Sequence, residues 1–156
     1  MTHPKTLIAL ALALGGLLAQ PALAQTGAAK ATATATAPAG LYQALGEKPG
    51  ITRLMDDFVN RLVVDPRIGG HFKDTKPAAL KESLTDQICQ LSGGPCKYEG
   101  ADMKSAHADM DITKGHFNAL VEVLQSAMDA QGIPFAQQNR LLALLAPMHR
   151  DVITIR

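Results

Sequence analysis

Five histidines and two cysteines are the residues of this chain best suited to hold a metal or take part in redox chemistry. His71, His107, His116 and His149 fall in four separate segments, and His3 lies near the start. No pair shows His-x-x-x-His or Glu-x-x-His spacing, so a multi-histidine zinc or di-iron centre has no basis. There is no Ser/His/Asp signature, no phosphate loop and no Cys-x-x-Cys-His run for covalent haem attachment. His107 stands apart because Met103, Ala106 and Met110 share its helical face. Two readings fit such a histidine. It is a core residue bonded to a carbonyl, or it is the axial ligand of a haem iron, where one imidazole nitrogen in apolar surroundings suffices. Periodicity does not choose between them.

The elements that must position these residues read as helices throughout. Ile51, Leu54, Met55, Phe58, Val59, Leu62 and Val63 recur with helical period and define one apolar face. Asp65-Pro66 ends that helix, since a residue before proline is pushed out of the helical region. Gly69-Gly70 lets the chain turn and leaves Phe72 as an isolated apolar residue. Asp74 or Thr75 is the expected cap of the next helix, with Pro77 in its first turn. Leu80, Leu84, Ile88 and Leu91 form its stripe, and Gly93-Gly94-Pro95 stops it. The short segment around His107 follows a loop through Tyr98 and Gly100, and is too short to be stable alone. Thr113 is the expected cap of a long helix carrying Phe117, Leu120, Val121, Leu124 and Met128. Gly132 suits the position past its end and Pro134 the start of a last helix, lined by Phe135, Leu141, Leu142, Leu145, Met148 and Val152. No stretch alternates as a strand does, and the fold class is all-α.

The N-terminal region has a different character. Lys5, the apolar run Leu7–Leu18 and Ala22-Leu23-Ala24 before Gln25 follow the pattern of a secretory signal peptide over residues 1–24. The apolar run is shorter than the roughly 20 residues of a membrane span, so a stable anchor is not expected in the mature chain. Residues 25–40, rich in Ala and Thr, read as a flexible linker, and residues 41–156 as one domain. The expected address is periplasmic or secreted. Lys5 is the only charged residue of the leader, so basic and acidic residues balance in what remains. Nothing forms a basic patch, and nucleic acid is not an expected partner. In an oxidising compartment Cys89 and Cys96 are read as a disulfide, worth about 2.5 kcal/mol by the chain-entropy relation, with two buried thiols as the other option.

Taken in order, the motifs form a larger pattern. Leu41-Tyr42, Leu45-Gly46, Asp56-Asp57-Phe58, Asp65-Pro66, Phe72, Leu80-Lys81 and Gly93-Gly94-Pro95 are followed by Tyr98-x-Gly100 and Met103-Lys104. His107, Ile112-Thr113, His116-Phe117 and Leu144-x-Ala146-Pro147 complete it. This set resembles a group I truncated haemoglobin from Leu41 to about Ile153. The resemblance implies a two-over-two helical sandwich around non-covalent haem b. It implies that His107 is the proximal iron ligand and that Phe72 packs on the haem face. It also implies that Leu80, Leu84 and, deeper, Ile88 line the distal side, with Met103 and Phe117 packing proximally. For Met103 and Phe117 ordinary core packing is the alternative.

Departures from the family pattern bear on function. Val59 stands where a tyrosine is common and Leu84 where a glutamine is frequent, so both usual donors to dioxygen are missing from the distal pocket. A hydrogen bond to a charged group contributes about 1.5–3 kcal/mol, so its loss is expected to speed oxygen release about 10- to 150-fold. Gln87, three residues beyond Leu84, either leans over the haem edge or faces solvent. His71 is either a turn residue or a sixth ligand or donor, and His116 and His149 are read as surface or satisfied residues. Lys81 and Lys104 either pair with haem propionates or lie on a solvated face. The leading expectation is a reversible binder of oxygen, nitric oxide or carbon monoxide. A six-coordinate electron-transfer protein and a haem-free interaction module are the other classes. No motif commits the chain to enzymatic activity, and any nitric oxide dioxygenase or peroxidase role would need a reductase or an oxidant that the sequence does not name.

Overall fold

A computed structural model describes residues 37–155, and every element among them is helical. The expected signal peptide and most of the expected linker lie outside the described residues. Seven α-helices follow in order: α1 (Leu41–Ala44), α2 (Glu47–Leu62), α3 (Pro77–Leu91), α4 (Met103–Ala106), α5 (Lys114–Ala130), α6 (Phe135–Leu145) and α7 (His149–Val152). Short 3-10 turns occupy Gly69–Phe72 and Ala146–Met148. Among the described residues, no helix is long and apolar enough to cross a membrane.

The apolar face expected of α2 is its buried face: Ile51, Leu54, Met55, Phe58, Val59 and Leu62 are all inside. That helix is the hub, packing on both α3 and α5, while α5 packs on α6. One pair, α2 with α3, thus faces another, α5 with α6, in two layers. Val123, Leu124, Ala127 and Met128 of α5 and Leu141 and Leu144 of α6 complete the core. Each fully buried Leu or Met here contributes about 1.5–3 kcal/mol, so the packing of α2 against α3 and α5 carries much of the fold's stability.

Two boundaries and one buried position differ from expectation. The N-cap of α3 is Lys76 rather than Asp74 or Thr75, and its side chain makes no capping bond. Pro77 takes the first helical position, where a missing N–H costs nothing. The last helix is not continuous: α6 stops at Leu145, a 3-10 turn carries Pro147, and a separate turn of helix follows. Proline removes the bond that would reach back four residues and its ring crowds that carbonyl. Phe135, expected on the apolar line of that helix, is 69% exposed.

Other signals act as the residue types require. Gly132 has φ 67° just past the C-cap of α5. At the end of α3, Gly93 has φ 89°, its N–H donates to Gln90 O (3.1 Å) and the Gly94 N–H donates to Cys89 O (2.8 Å). This pair of bonds is the Schellman arrangement, and it reverses the chain sharply. A Cβ on Gly94 would lie 2.5 Å from the ring of Tyr42, so glycine is required there for close approach.

Candidate functional site

The loop that leads to His107 is built from side-chain bonds rather than from regular structure. The Tyr98 N–H donates to Gln90 Oε1 (2.6 Å), holding the loop against the end of α3. The Tyr98 hydroxyl donates to Ala101 O (2.9 Å), and its ring lies so close to Gly100 that a Cβ there would collide with it. Asp102 then caps α4, accepting from the Ser105 N–H (3.0 Å) and the Ser105 hydroxyl (2.7 Å). These bonds, the Ser105 hydroxyl first, hold the Asp102 carboxyl below the usual carboxylate range.

His107 sits at the C-cap of α4, half-buried, with its Nδ1 2.7 Å from Met103 O. A carbonyl only accepts, so Nδ1 carries the proton and the lone pair is on Nε2. Among the described residues Nε2 has no hydrogen-bond partner. This is the arrangement of a metal-ligating imidazole whose second nitrogen is oriented by a carbonyl. After His107 the chain turns through Asp109 and Asp111, both with left-handed φ (60° and 51°), which short polar side chains tolerate. It is then pinned at Ile112, whose N–H donates to Thr154 Oγ1 (2.7 Å) and whose carbonyl accepts from the N–H groups of Thr154 (2.9 Å) and Ile155 (3.0 Å).

The side chains expected around the ligand fall into two sets. Val59 and Ile88 are deep in the core, at 0% and 3% exposure. Phe72, Leu80, Leu84, Met103 and Phe117 are only half-buried, and the first three pack on the core without being covered by it. This partly covered apolar surface, together with an imidazole offering a free Nε2, fits a flat hydrophobic iron-bearing group. Gln87 does not face solvent: it is 8% exposed, and its amide Nε2 points to Met103 Sδ (3.6 Å) and Met148 Sδ (4.0 Å). Thioethers are weak acceptors, so Gln87 is a buried amide with little to hold it. It links α3 to α4 one turn before the ligand.

Among the described residues, the other histidines are engaged elsewhere. His71 Nε2 lies 3.0 Å from His116 Nδ1, so a sixth-ligand role for His71 would require breaking that contact. His116 Nδ1 also accepts from the Thr113 N–H, while Thr113 Oγ1 accepts from the His116 N–H, a capping box with histidine in the usual place of Glu or Gln. The spacing of Thr113 and His116 carried that signal, but histidine is outside the usual pattern and the pairing with His71 is long-range. His149 packs edge-on against Phe117, ring centroids 4.9 Å apart. Lys81 pairs with Asp56 (2.7 Å), tying α3 to α2, and Lys104 is exposed on α4. Cys89 and Cys96 are bonded, with Cα atoms 5.7 Å apart.

A two-layer helical sandwich with a lone oriented histidine beside a partly uncovered apolar surface defines a globin of the shortened, two-over-two class. Residues 40–154 match the family model for bacterial-like globins, and the chain belongs to that family. It is 29% identical to a group 1 truncated hemoglobin of Mycolicibacterium paratuberculosis, over 75% of this chain and 86% of that protein. It is 30% identical to a group 1 truncated hemoglobin of Synechocystis, covering 72% and 96%. The Fe(III) form of truncated hemoglobin from Tetrahymena pyriformis superposes with a TM-score of 0.70 at 26% identity, covering 72% of this chain and 97% of that one.

The depressed Asp102 carboxyl has a pH consequence. A carboxyl whose folded value lies below its unfolded one contributes stability above the unfolded value, about pH 4, and loses it as pH falls through the folded value. The Ser105 amide resonance should therefore hold its capped position down to about pH 4 and move only below it. In Asp102→Ala it should be displaced at every pH, and a wild-type resonance that titrates near pH 6 would contradict the assignment.

Proposed function

We propose that this protein binds one haem b through His107 and uses the open face of the iron to hold a diatomic gas reversibly. The observation that carries the reading is the His107 imidazole, with its tautomer set by Met103 O and its Nε2 free of partners among the described residues. When bound, haem would supply an iron able to take a small ligand. Of this chain's residues, His107 would supply the iron-binding nitrogen and Phe72, Leu80, Leu84, Met103 and Phe117 the apolar walls. Those walls exclude water and favour neutral diatomics. A His107→Ala variant should lose or radically alter the Soret band of the purified protein, with one equivalent bound in the wild type. An unchanged spectrum would remove His107 as the ligand.

Oxygen is the ligand least favoured by this site. Val59 and Leu84 offer no hydrogen-bond donor, whereas carbon monoxide and nitric oxide depend less on one. The six-coordinate electron-transfer reading has less support than the gas binder because His71 is already engaged by His116. Leu84 is half-buried on α3, so a polar substitute can be accommodated there without burying an unpaired amide. Leu84→Gln should slow oxygen release about 10- to 150-fold, the equivalent of about 1.5–3 kcal/mol for a hydrogen bond to a charged acceptor. An oxygen off-rate already slow in the wild type, and unmoved by the substitution, would mean that another donor reaches the ligand.

Export to an oxidising compartment belongs to the same reading, on the leader pattern of residues 1–24 and the presence of a disulfide. N-terminal sequencing of protein recovered from the native host should begin at or near Gln25. A start at Met1 or Thr2 would place the protein inside the cell.

A further inference from the structure

The helix that carries the ligand has no grip of its own. None of the four residues of α4 is buried, and it rests against α7, itself a single turn. A helix this short does not persist without outside support. On the C-terminal side that support is Ile112, bonded to Thr154 and Ile155. On the N-terminal side residues 92–102 contain no α-helix. Ser92, Gly93 and Gly94 cap the end of α3; beyond them, the side-chain attachments of residues 95–102 to α3 are the Cys89–Cys96 bond and the Tyr98-to-Gln90 hydrogen bond. Cys89 is fully buried in the core cluster, adjacent to Ile88 and two residues from Gln87, whose amide reaches Met103. Cys96 is half-buried and packs on the same cluster.

We propose that the Cys89–Cys96 disulfide is a positioning element for the iron ligand, so that haem retention and the geometry of the axial bond depend on the oxidation state of this pair. The inference rests on the reading of His107 as that ligand. The bond fixes where the loop leaves the distal-side helix α3, Gln90 and Tyr98 fix its direction, and Tyr98 with Ala101 and then Asp102 with Ser105 carry that register to α4. Cleavage by a dithiol reductant begins at the more accessible Cys96. One thiolate attacks its sulfur, and the second resolves the mixed disulfide. Two electrons and two protons pass to the protein as the Cys89 and Cys96 thiols, and the reductant leaves as its cyclic disulfide. The loop then keeps one side-chain fastener instead of two, and α4 gains freedom to move relative to α3.

The test uses the haem-loaded protein in three forms: wild type, Cys89→Ala/Cys96→Ala, and Val123→Ala as a control that weakens the core at the buried α5 position remote from the loop. Two quantities are read: the rate of haem transfer to an excess of scavenging apoglobin, and the ferrous iron–histidine stretching band in the resonance Raman spectrum. We expect haem loss at least about 10-fold faster and a shifted or broadened band in the double variant, with both near wild type in Val123→Ala at comparable loss of Tm. Should the double variant fail to fold, wild-type holoprotein reduced anaerobically with a dithiol gives the same comparison. Unchanged rate and band without the bond, or equal changes in Val123→Ala, would overturn the proposal and leave the disulfide as a general stabiliser. A stretching band that survives in His107→Ala would instead overturn the ligand assignment, and this inference with it.

Discussion

A helix of four residues that buries none of its side chains has to be held by what flanks it, and here that helix presents the imidazole on which the site depends. The oriented bond from His107 Nδ1 to Met103 O is local, within one turn, and costs little to form once the turn exists. Holding the turn at a fixed place opposite α3 is the harder problem. The chain solves it with contacts of long sequence separation: the C-terminal residues Thr154 and Ile155 on Ile112, and the buried Gln87 on Met103 and Met148. A single turn of helix yields too little cohesion to keep an imidazole in a fixed place. The surrounding bonds supply the rest.

That division explains which parts of the molecule were legible in the sequence. The long helices were, because a 3.6-residue period over α2 or α5 buries one face whatever the details, and Gly93, Thr113 and Gly132 act locally. The break after Leu145 followed from Pro147 but was obscured by apolar residues that continue in phase on both sides of it. Phe135 sat on the expected line yet is exposed, since a position beside the N-cap of α6 lies beyond the end of the neighbouring core. Gln87 could not be placed from its type, because glutamine is mostly a surface residue. Only the packing of α3 against α4 turns its amide inward. The partnership of His71 with His116, across 45 positions, has no local signature at all.

Spacing alone left His107 divided between core histidine and iron ligand, and the ordered motifs favoured the second. The structure adds the tautomer: Nδ1 is bonded to Met103 O, and Nε2 has no partner among the described residues. That nitrogen, on a half-buried ring, is the one the proposed reading assigns to iron. The one-sided engagement of His107 contrasts with the fuller engagement of His116 by Thr113 and His71, a difference that neighbours in sequence do not carry.

The polar inventory of the site points the same way. Its walls are leucine, phenylalanine, methionine and valine, and its one buried amide, Gln87, hydrogen-bonds only to sulfur among the described residues. A site built to retain dioxygen places a firm donor over the ligand, because the partial negative charge that develops on dioxygen is what a donor stabilises. Carbon monoxide carries little such charge and needs no donor. An amide held only by thioethers sits between these cases: it is polar enough to respond to a charged ligand, yet it has no partner strong enough to fix it in advance. On the gas-binding reading proposed above, these residues therefore favour ligands that bind through the iron and the apolar walls alone. Dioxygen is then the ligand the site stabilises least, since its one buried amide is turned toward the Met103 thioether.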